Sequence, residues 1–492
     1  MLVIIGATGD LCKKKIFPAL DAMLREKLSH CTKTDFIEKE LEHTSGTLSS
    51  SVSTLALKHS PITHANPANP RNRKEYLCMD EAGMQVTQLE QGNLLKNSGE
   101  KIPAILGYAR TPLTTPEFLR RIDPSINFLK ETVEAIEYVH GSYEECIERI
   151  SGRVGGRVGQ EVAETVYFYL AVPPEVYPVI TAQVASFERK SVILAEKPHG
   201  TSLETFYLLK KQADALPCPL LCVDHYLFKN VILQVPRLLA ETVLGQVVKP
   251  GLVKKIKGCF NEVGDVKGRE GYYNASGACR DVVQNHLLQS LSILLSSKTA
   301  SKLQVLQAIE PLSPENTKYG GYEEYVKEIA RLGDKATAET YVKTRTRISG
   351  GWGVPLTLEG GKKLKKHFVG FLVTLSAAGI EVVRNYTNQS TDFENKKRLA
   401  ETSTESITGM VRIEITPKET ATIYLKEKKR LLKRINLPIT RAANGSTPYQ
   451  TLFKYILSTD TPASHFSTPE EVEQQWKIVE PILNDQPRRF IY

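Results

Sequence analysis

A short apolar run that stops at a glycine and passes straight into an amphipathic helix leaves a chain few folds to choose from. Here "MLVII" runs into "GATGD", and "KKKIFPALDAMLREKLSH" then sets Ile16, Ala19, Leu20, Met23 and Leu24 at helical spacing. Strand, glycine turn and helix open a βαβ unit. Further apolar runs occur in "IPAILGYAR", "TVYFYLAVPP" and "SVILAEKPHG", with helical stretches between them. Alternation of this kind predicts an α/β domain built on a parallel sheet.

Residues 31–101 interrupt the alternation. "HTSGTLSSSVSTLALKHSPITHANPANPRNRK" is rich in Ser, Thr, Asn and Pro and nearly free of aromatics, so it reads as a low-complexity, largely disordered insertion. Beyond residue 225 long helical segments come first. The strand-like runs "ETYVKTRTRI", "VPLTLEGG", "HFVGFLVTLSA", "GMVRIEIT" and "TATIYLKEK" then follow without helices between them. That order predicts an α+β domain with a large, mostly antiparallel sheet, closed by a helix at "QQWKIVEPIL". A chain of 492 residues exceeds what one core usually serves, and two domains are expected, 1–222 and 223–492.

Composition narrows the functional classes. The formal charge is +9, with basic runs at "KKLKK" (Lys362 to Lys366) and "KEKKRLLKR" (Lys426 to Arg434). Both lack the interleaved aromatics of a nucleic-acid surface, so no nucleic-acid partner is expected. They are either solvated surface or an attraction for phosphorylated small molecules. No apolar run is long enough to span a bilayer, and the apolar start is too short for a signal peptide. A cytoplasmic protein without a membrane partner is expected. Eight cysteines with no paired CxxC motif suit buried thiols, and no metal is expected.

Four segments carry side chains suited to chemistry. In Gly6 to Leu11 ("GATGDL") the glycines would let backbone N–H groups approach a pyrophosphate at a helix N-terminus, where Asp10 also favours the dipole. Arg110 closes "GYAR", where dinucleotide folds keep an acid for a ribose 2′-hydroxyl. An arginine there suits a 2′-phosphate and points to NADP over NAD. Lys197 in "EKPHG" either projects from a strand's carboxyl end towards a ligand or pairs with Glu196 at the surface. "VDHYLFK" gathers Asp224, His225, Tyr226 and Lys229, either as mixed donors for a phosphate or as a polar turn.

"RDVVQNHLLQSLSILL" begins at Arg280 and reads as a buried helix whose early turns carry Asp281, Gln284, Asn285, His286 and Gln289. Each of these needs a partner or a purpose. On an ideal α-helix Asp281 and Asn285 lie about 40° apart, but Asp281 and His286 lie about 140° apart, and one face cannot present both. Read alone, His286 is either a hydrogen-bonded core histidine or part of a site.

Taken in order, "GATGDLCKKKIFP", "YAR", "EKPHG", "DHYLFK", "GREGYY" (Gly268 to Tyr273), "RDVVQNHLLQ" and "WGVP" with "GGKKL" make the chain similar to the glucose-6-phosphate dehydrogenase family. The resemblance covers nearly the whole chain except the insertion. It implies an N-terminal Rossmann domain followed by the α+β domain. It implies oxidation of glucose 6-phosphate at C1 to 6-phosphogluconolactone, with hydride passing to NADP, as the first oxidative step of the pentose phosphate pathway. It also implies a homodimer or homotetramer formed through the second domain's sheet. In the implied site His286 is the general base and Asp224 the acid that orients it. His225, Tyr226 and Lys229 hold the phosphate, and Lys197, Glu262, Asp281 and Lys362 bind the sugar or its phosphate. NADP falls to Gly6, Ala7, Thr8, Gly9, Asp10 and Leu11, with Arg110, Tyr177 and Lys197, Thr8 assisting Arg110.

Some positions depart from the family's pattern. Phe228 stands where glycine is general, His367 where an arginine commonly contacts substrate, and Thr416 near an expected glutamine. Glu359 and Glu414 replace arginines that help some members bind a second, structural NADP, which argues against that site here. Two other readings stay open: a different Rossmann sugar oxidoreductase, and a non-catalytic NADP-binding relative.

Overall fold

The computed structural model describes residues 1–27, 103–122, 128–157, 165–388, 403–440, 445–457, 465–483 and 490–492. The insertion expected over 31–101 lies outside the described residues.

Six strands form the first sheet: β1 (Leu2–Ile5), β2 (Ile105–Ala109), β3 (Ile136–His140), β4 (Val166–Leu170), β5 (Ser191–Glu196) and β6 (Leu220–Val223). All pair in parallel, in the order β3-β2-β1-β4-β5-β6. The order reverses direction between β1 and β4, and ligands of such sheets collect outside the strands' carboxyl ends at that switch. Gly6 leaves β1 with φ +90, and a Cβ there would stand 2.3 Å from the Ala171 carbonyl oxygen, so only glycine turns the chain this close to the end of β4. The helix that follows opens with one π-helical turn, Cys12–Ile16.

The second sheet has nine strands: β7 (Val253–Asn261), β8 (Thr317–Gly321), β9 (Tyr341–Ile348), β10 (Val354–Gly361), β11 (Phe368–Leu375), β12 (Ile407–Thr416), β13 (Thr420–Glu427), β14 (Arg430–Asn436) and β15 (Phe490–Ile491). Their order is β14-β13-β12-β11-β7-β10-β9-β8-β15. Pairing is antiparallel except between β7 and β10 and between β8 and β15. The run "KEKKRLLKR" forms the β13–β14 hairpin on the sheet's outer edge, where charge discourages pairing with another chain.

The parallel pair positions the site. Its register sets Asn261 opposite Gly361, so Glu262 and Lys362 leave the two strands side by side. A central helix, π-helical over Cys279–Leu287 and α-helical over Leu288–Leu295, lies against this pair. Gly360 permits the approach, since a Cβ there would meet Val282 at 3.0 Å and Val283 at 3.2 Å.

The closing helix, Pro469–Leu483, packs on the central helix and on helix Leu203–Ala215 of the first sheet's layer. Trp476 donates to the His199 carbonyl at 2.9 Å. Fully buried Gln289 donates to Glu471 at 2.7 Å and accepts from Gln475, so it is a structural partner for the closing helix. The six described cysteines are free thiols, and five of them are buried. Among the described residues no helix is long and apolar enough to cross a membrane.

Candidate active site

The carboxyl ends of β5 and β6 and those of β7 and β10 converge on the first turns of the central helix. Lys197, after β5, donates to the Asp281 carbonyl at 2.8 Å and to its Oδ1 at 3.4 Å. Lys362, after β10, stands 3.5 Å from Asp281 Oδ2 and also bonds Glu262. Burial would raise the Asp281 carboxyl, but Lys197 and Lys362 outweigh it and hold it down at about 2. Burial would likewise lower Lys197, yet Asp281 keeps it above its ordinary range.

Asp224 follows β6 and caps the short helix His225–Phe228, its Oδ1 accepting from the Tyr226 N–H at 2.9 Å. The same oxygen lies 2.5 Å from His286 Nδ1. A proton held on Nδ1 by this bond leaves Nε2 free as a base. Burial pulls His286 below its ordinary range, Lys197 adds to the pull, and Asp224 opposes it. Burial would raise Asp224, but His286, His225 and the Tyr226 N–H bring it below the carboxylate range. At rest the pair is carboxylate and neutral imidazole.

The α-helical angle expected between Asp281 and His286 does not apply, because this turn is π-helical. The Leu288 N–H returns to the Val283 carbonyl, five residues back. Residues five apart therefore follow one another along one side, and Asp281 and His286 are such a pair. Asn285 braces the wide turn: its Nδ2 donates to the Arg280 carbonyl at 2.9 Å, and its Oδ1 accepts from the His286 N–H at 2.7 Å.

A cavity of about 330 Å³ opens beside the dyad, lined by Lys14, Lys15, His225, Tyr226, Lys229 and Tyr449 among others. The Tyr226 ring lies 4.3 Å from the His286 ring, centroid to centroid. Burial lowers the Lys229 ammonium and brings His225 well below its ordinary range. His225 Nδ1 is buried with no hydrogen-bond partner among the described residues, as is Asp224 Oδ2. Sequence reasoning missed three members of this wall. Lys14 and Lys15 were in plain view in the "KKK" run, whereas no signal pointed to Tyr449.

The glycine turn and the arginine expected to hold the cofactor sit at the first sheet's carboxyl edge. Gly9 N–H closes the turn on the Gly6 carbonyl at 2.9 Å, Ala7 is buried, and Leu11 is half-buried. Exposed Asp10 pairs with Lys14 at 2.7 Å. Arg110 is exposed at the end of β2, its guanidinium 5.1 Å from the Tyr143 ring centroid, and Thr8 lies 3.4 Å from Thr111 between the hydroxyls. A glycine cradle at the switch point with an exposed guanidinium at the second strand's end fits NADP. Tyr177 is not at this surface: it is buried, and its hydroxyl donates to the Glu196 carbonyl at 2.6 Å, beneath the chain that carries Lys197.

Asp224, His225 and His286 bring possible metal-ligating atoms within 4.8 Å of one another. Two ligands on one tetrahedral zinc ion stand roughly 3.3 Å apart, given metal–ligand distances near 2.0 Å. The 2.5 Å between Asp224 and His286 is a hydrogen bond instead.

The departures from the family pattern have partners. His367 Nε2 and Thr416 Oγ1 lie 3.0 Å apart, so two of the changed positions meet on the exposed rim. Glu359 is paired with Lys257 at 2.9 Å and Lys343 at 3.6 Å, and Glu414 with Arg412 at 2.7 Å. Phe228 is buried and packs on Tyr455 and Phe466.

Comparison with known proteins bears on these features together. The profile described as "Glucose-6-phosphate dehydrogenase, C-terminal domain" matches residues 239–491, and "Glucose-6-phosphate dehydrogenase, NAD binding domain" matches 85–234. The chain is 27% identical over 384 residues to "Glucose-6-phosphate 1-dehydrogenase 6, cytoplasmic" of Arabidopsis thaliana, covering 74% of this chain and 64% of that protein. It is 26% identical to "Glucose-6-phosphate 1-dehydrogenase, cytoplasmic isoform" of Solanum tuberosum, over 77% of this chain and 79% of the relative. The chain thus spans under two thirds of the Arabidopsis relative. In fold it is similar to the crystal structure of glucose-6-phosphate 1-dehydrogenase from Mycobacterium avium, with TM-score 0.69, 21% identity, and coverage of 100% of this chain and 93% of that one.

Proposed function

The chain belongs to the glucose-6-phosphate dehydrogenase family, and on that premise we propose that it oxidises glucose 6-phosphate at C1 to 6-phosphogluconolactone with NADP. One observation carries the reading: a buried imidazole, His286, bonded through Nδ1 to Asp224 at 2.5 Å and free at Nε2 beside a cavity rich in ammonium groups.

That arrangement supports the roles that the family resemblance implies. The substrate's phosphate enters the cavity, met by His225, Tyr226 and Lys229, with Lys14 and Lys15 on the facing helix. Lys197, Glu262, Asp281 and Lys362 form a charged set that binds the sugar. His286 Nε2 removes the C1 hydroxyl proton, and Asp224 stabilises the imidazolium that results. Bound NADP supplies the acceptor for the hydride that leaves C1. The Gly6 to Leu11 turn holds its pyrophosphate, and Arg110 with Thr8 holds its 2′-phosphate.

Purified protein given glucose 6-phosphate and NADP should form NADPH, read by absorbance, far faster than with glucose or inositol. Equal rates on all three would favour a different sugar oxidoreductase. NADP binding without turnover would favour a non-catalytic relative. We also propose a first domain over 1–222 and a second over 223–492, and a cytoplasmic setting like that in the plant relatives' names. A homodimer or homotetramer completes the proposal, and sedimentation tests it.

A further inference from the structure

Glu196 ends β5, immediately before Lys197, and is 5% exposed. Its carboxylate accepts from the Tyr169 hydroxyl at 2.6 Å and from the Tyr449 hydroxyl at 3.0 Å. Tyr449 lies in helix Pro448–Leu457, and its ring stacks on His225 at 5.3 Å with 16° between the planes. Both rings line the basic cavity. A carboxyl set behind the site thus reaches the His225 imidazole through one shared side chain.

Burial raises Glu196 to about 7, opposed by Tyr169, Tyr449 and Lys197 and aided by Asp224. The other groups packed around it keep their charge state near neutrality. Burial raises Tyr169 of β4, Tyr177 of helix Tyr177–Val184, Tyr449, and the thiol of Cys12 on the first helix. Lys197 stays an ammonium and Asp224 a carboxylate. An ionised carboxyl only accepts hydrogen bonds, whereas a neutral one donates one of its own. When the Glu196 oxygen facing a tyrosine gains a proton, that phenol's oxygen is the acceptor within reach, and its bond turns round. The longer of the two bonds leads to the cavity.

We propose that Glu196 is a positioning residue for the anion pocket, acting through Tyr449 on the wall that faces the substrate's phosphate. The proposal rests on the reading of this cavity as the phosphate site. With Glu196 ionised, the Tyr449 proton is drawn inward. With Glu196 neutral, the carboxyl donates to Tyr449, and the phenol O–H, its proton still on oxygen, is free to donate a hydrogen bond to an anion in the cavity. The pocket therefore binds anions more tightly as Glu196 is neutralised.

Inorganic sulfate is the probe, because its charge is constant across neutrality. Calorimetry on the full chain at about pH 6 and about pH 8 should give roughly fivefold tighter binding at the lower pH. Glu196→Gln carries a neutral amide of the same shape and should bind tightly at both pH values. Tyr449→Phe cuts the relay and should remove the pH difference. Tyr169→Phe loses the other bond to the same carboxyl and should keep it. No pH difference in the wild type overturns the proposal. So does a difference that persists in Tyr449→Phe, since the charge would then act directly through space. Equal losses in Tyr169→Phe and Tyr449→Phe would leave Glu196 a structural role alone. If melting shows that Glu196→Gln does not fold, the two tyrosine variants decide the matter. Sulfate binding requires neither sugar nor NADP, so failure of the catalytic reading would appear separately, as absent NADPH formation.

Discussion

Asp281 stands five residues before His286, and the π-helical turn makes that spacing a shared side. Lys197 touches the first of these residues and depresses the ionisation of the second. One ammonium group therefore anchors the Asp281 carboxylate and adds to the burial that holds the His286 imidazole below its ordinary range.

His286→Asn should lower kcat by about 10²- to 10⁴-fold while leaving KM for glucose 6-phosphate within a fewfold, because loss of a general base costs that much. Steady-state kinetics checks both numbers, and unchanged turnover would remove His286 from the chemistry.

As the proposed base, His286 acts in its neutral form, and burial places its ionisation below the ordinary value of about 6.5. Turnover at saturating glucose 6-phosphate, lost by protonating the base, should therefore disappear only as pH falls below about 6.5, with a level kcat profile above it. Lys197→Met removes a neighbouring cation and should move that acid limb upward. A limb that stays in place or moves down in kcat profiles would contradict the assignment.

Arg110→Ala should raise KM for NADP by about tenfold or more and change KM for NAD little, since a guanidinium–phosphate bond is lost only in the first case. Equal loss for both cofactors would refute the 2′-phosphate role.

His367→Arg should lower KM for glucose 6-phosphate by about fivefold at constant kcat, because a longer, permanently charged side chain replaces a ring engaged with Thr416. Unchanged or weaker binding would mean that the rim does not reach the substrate.

Much of the first sheet was legible because its strands are buried on both faces and read as unbroken apolar runs. β7 was not: Lys254, Lys255 and Lys257 interrupt it, and its exposed–buried pattern is neither alternating nor continuous. With β7 unread, its parallel pairing with β10 was invisible, and so was the reason Glu262 and Lys362 meet. The dyad could be reached only through the family motifs, since nothing local in "VDHYLFK" points to a partner on a distant helix. The geometry around His286 went astray for another reason. A wide turn differs from an α-helix by one hydrogen-bond step, which the order of apolar residues does not record. Glu196 read equally well as a surface acid, because its two phenol partners come from β4 and from a helix near the end of the chain.

The dyad and its surrounding charges join segments far apart in sequence: His286 and Asp224 by 62 residues, Lys197 and Asp281 by 84, Lys362 and Glu262 by 100. Closing loops of that size is slow compared with forming helices and hairpins. During refolding from denaturant, circular dichroism should recover before the ability to make NADPH. The candidate site thus exists only once the two sheets have formed and met, since Asp224 leaves the first and His286 lies against the second.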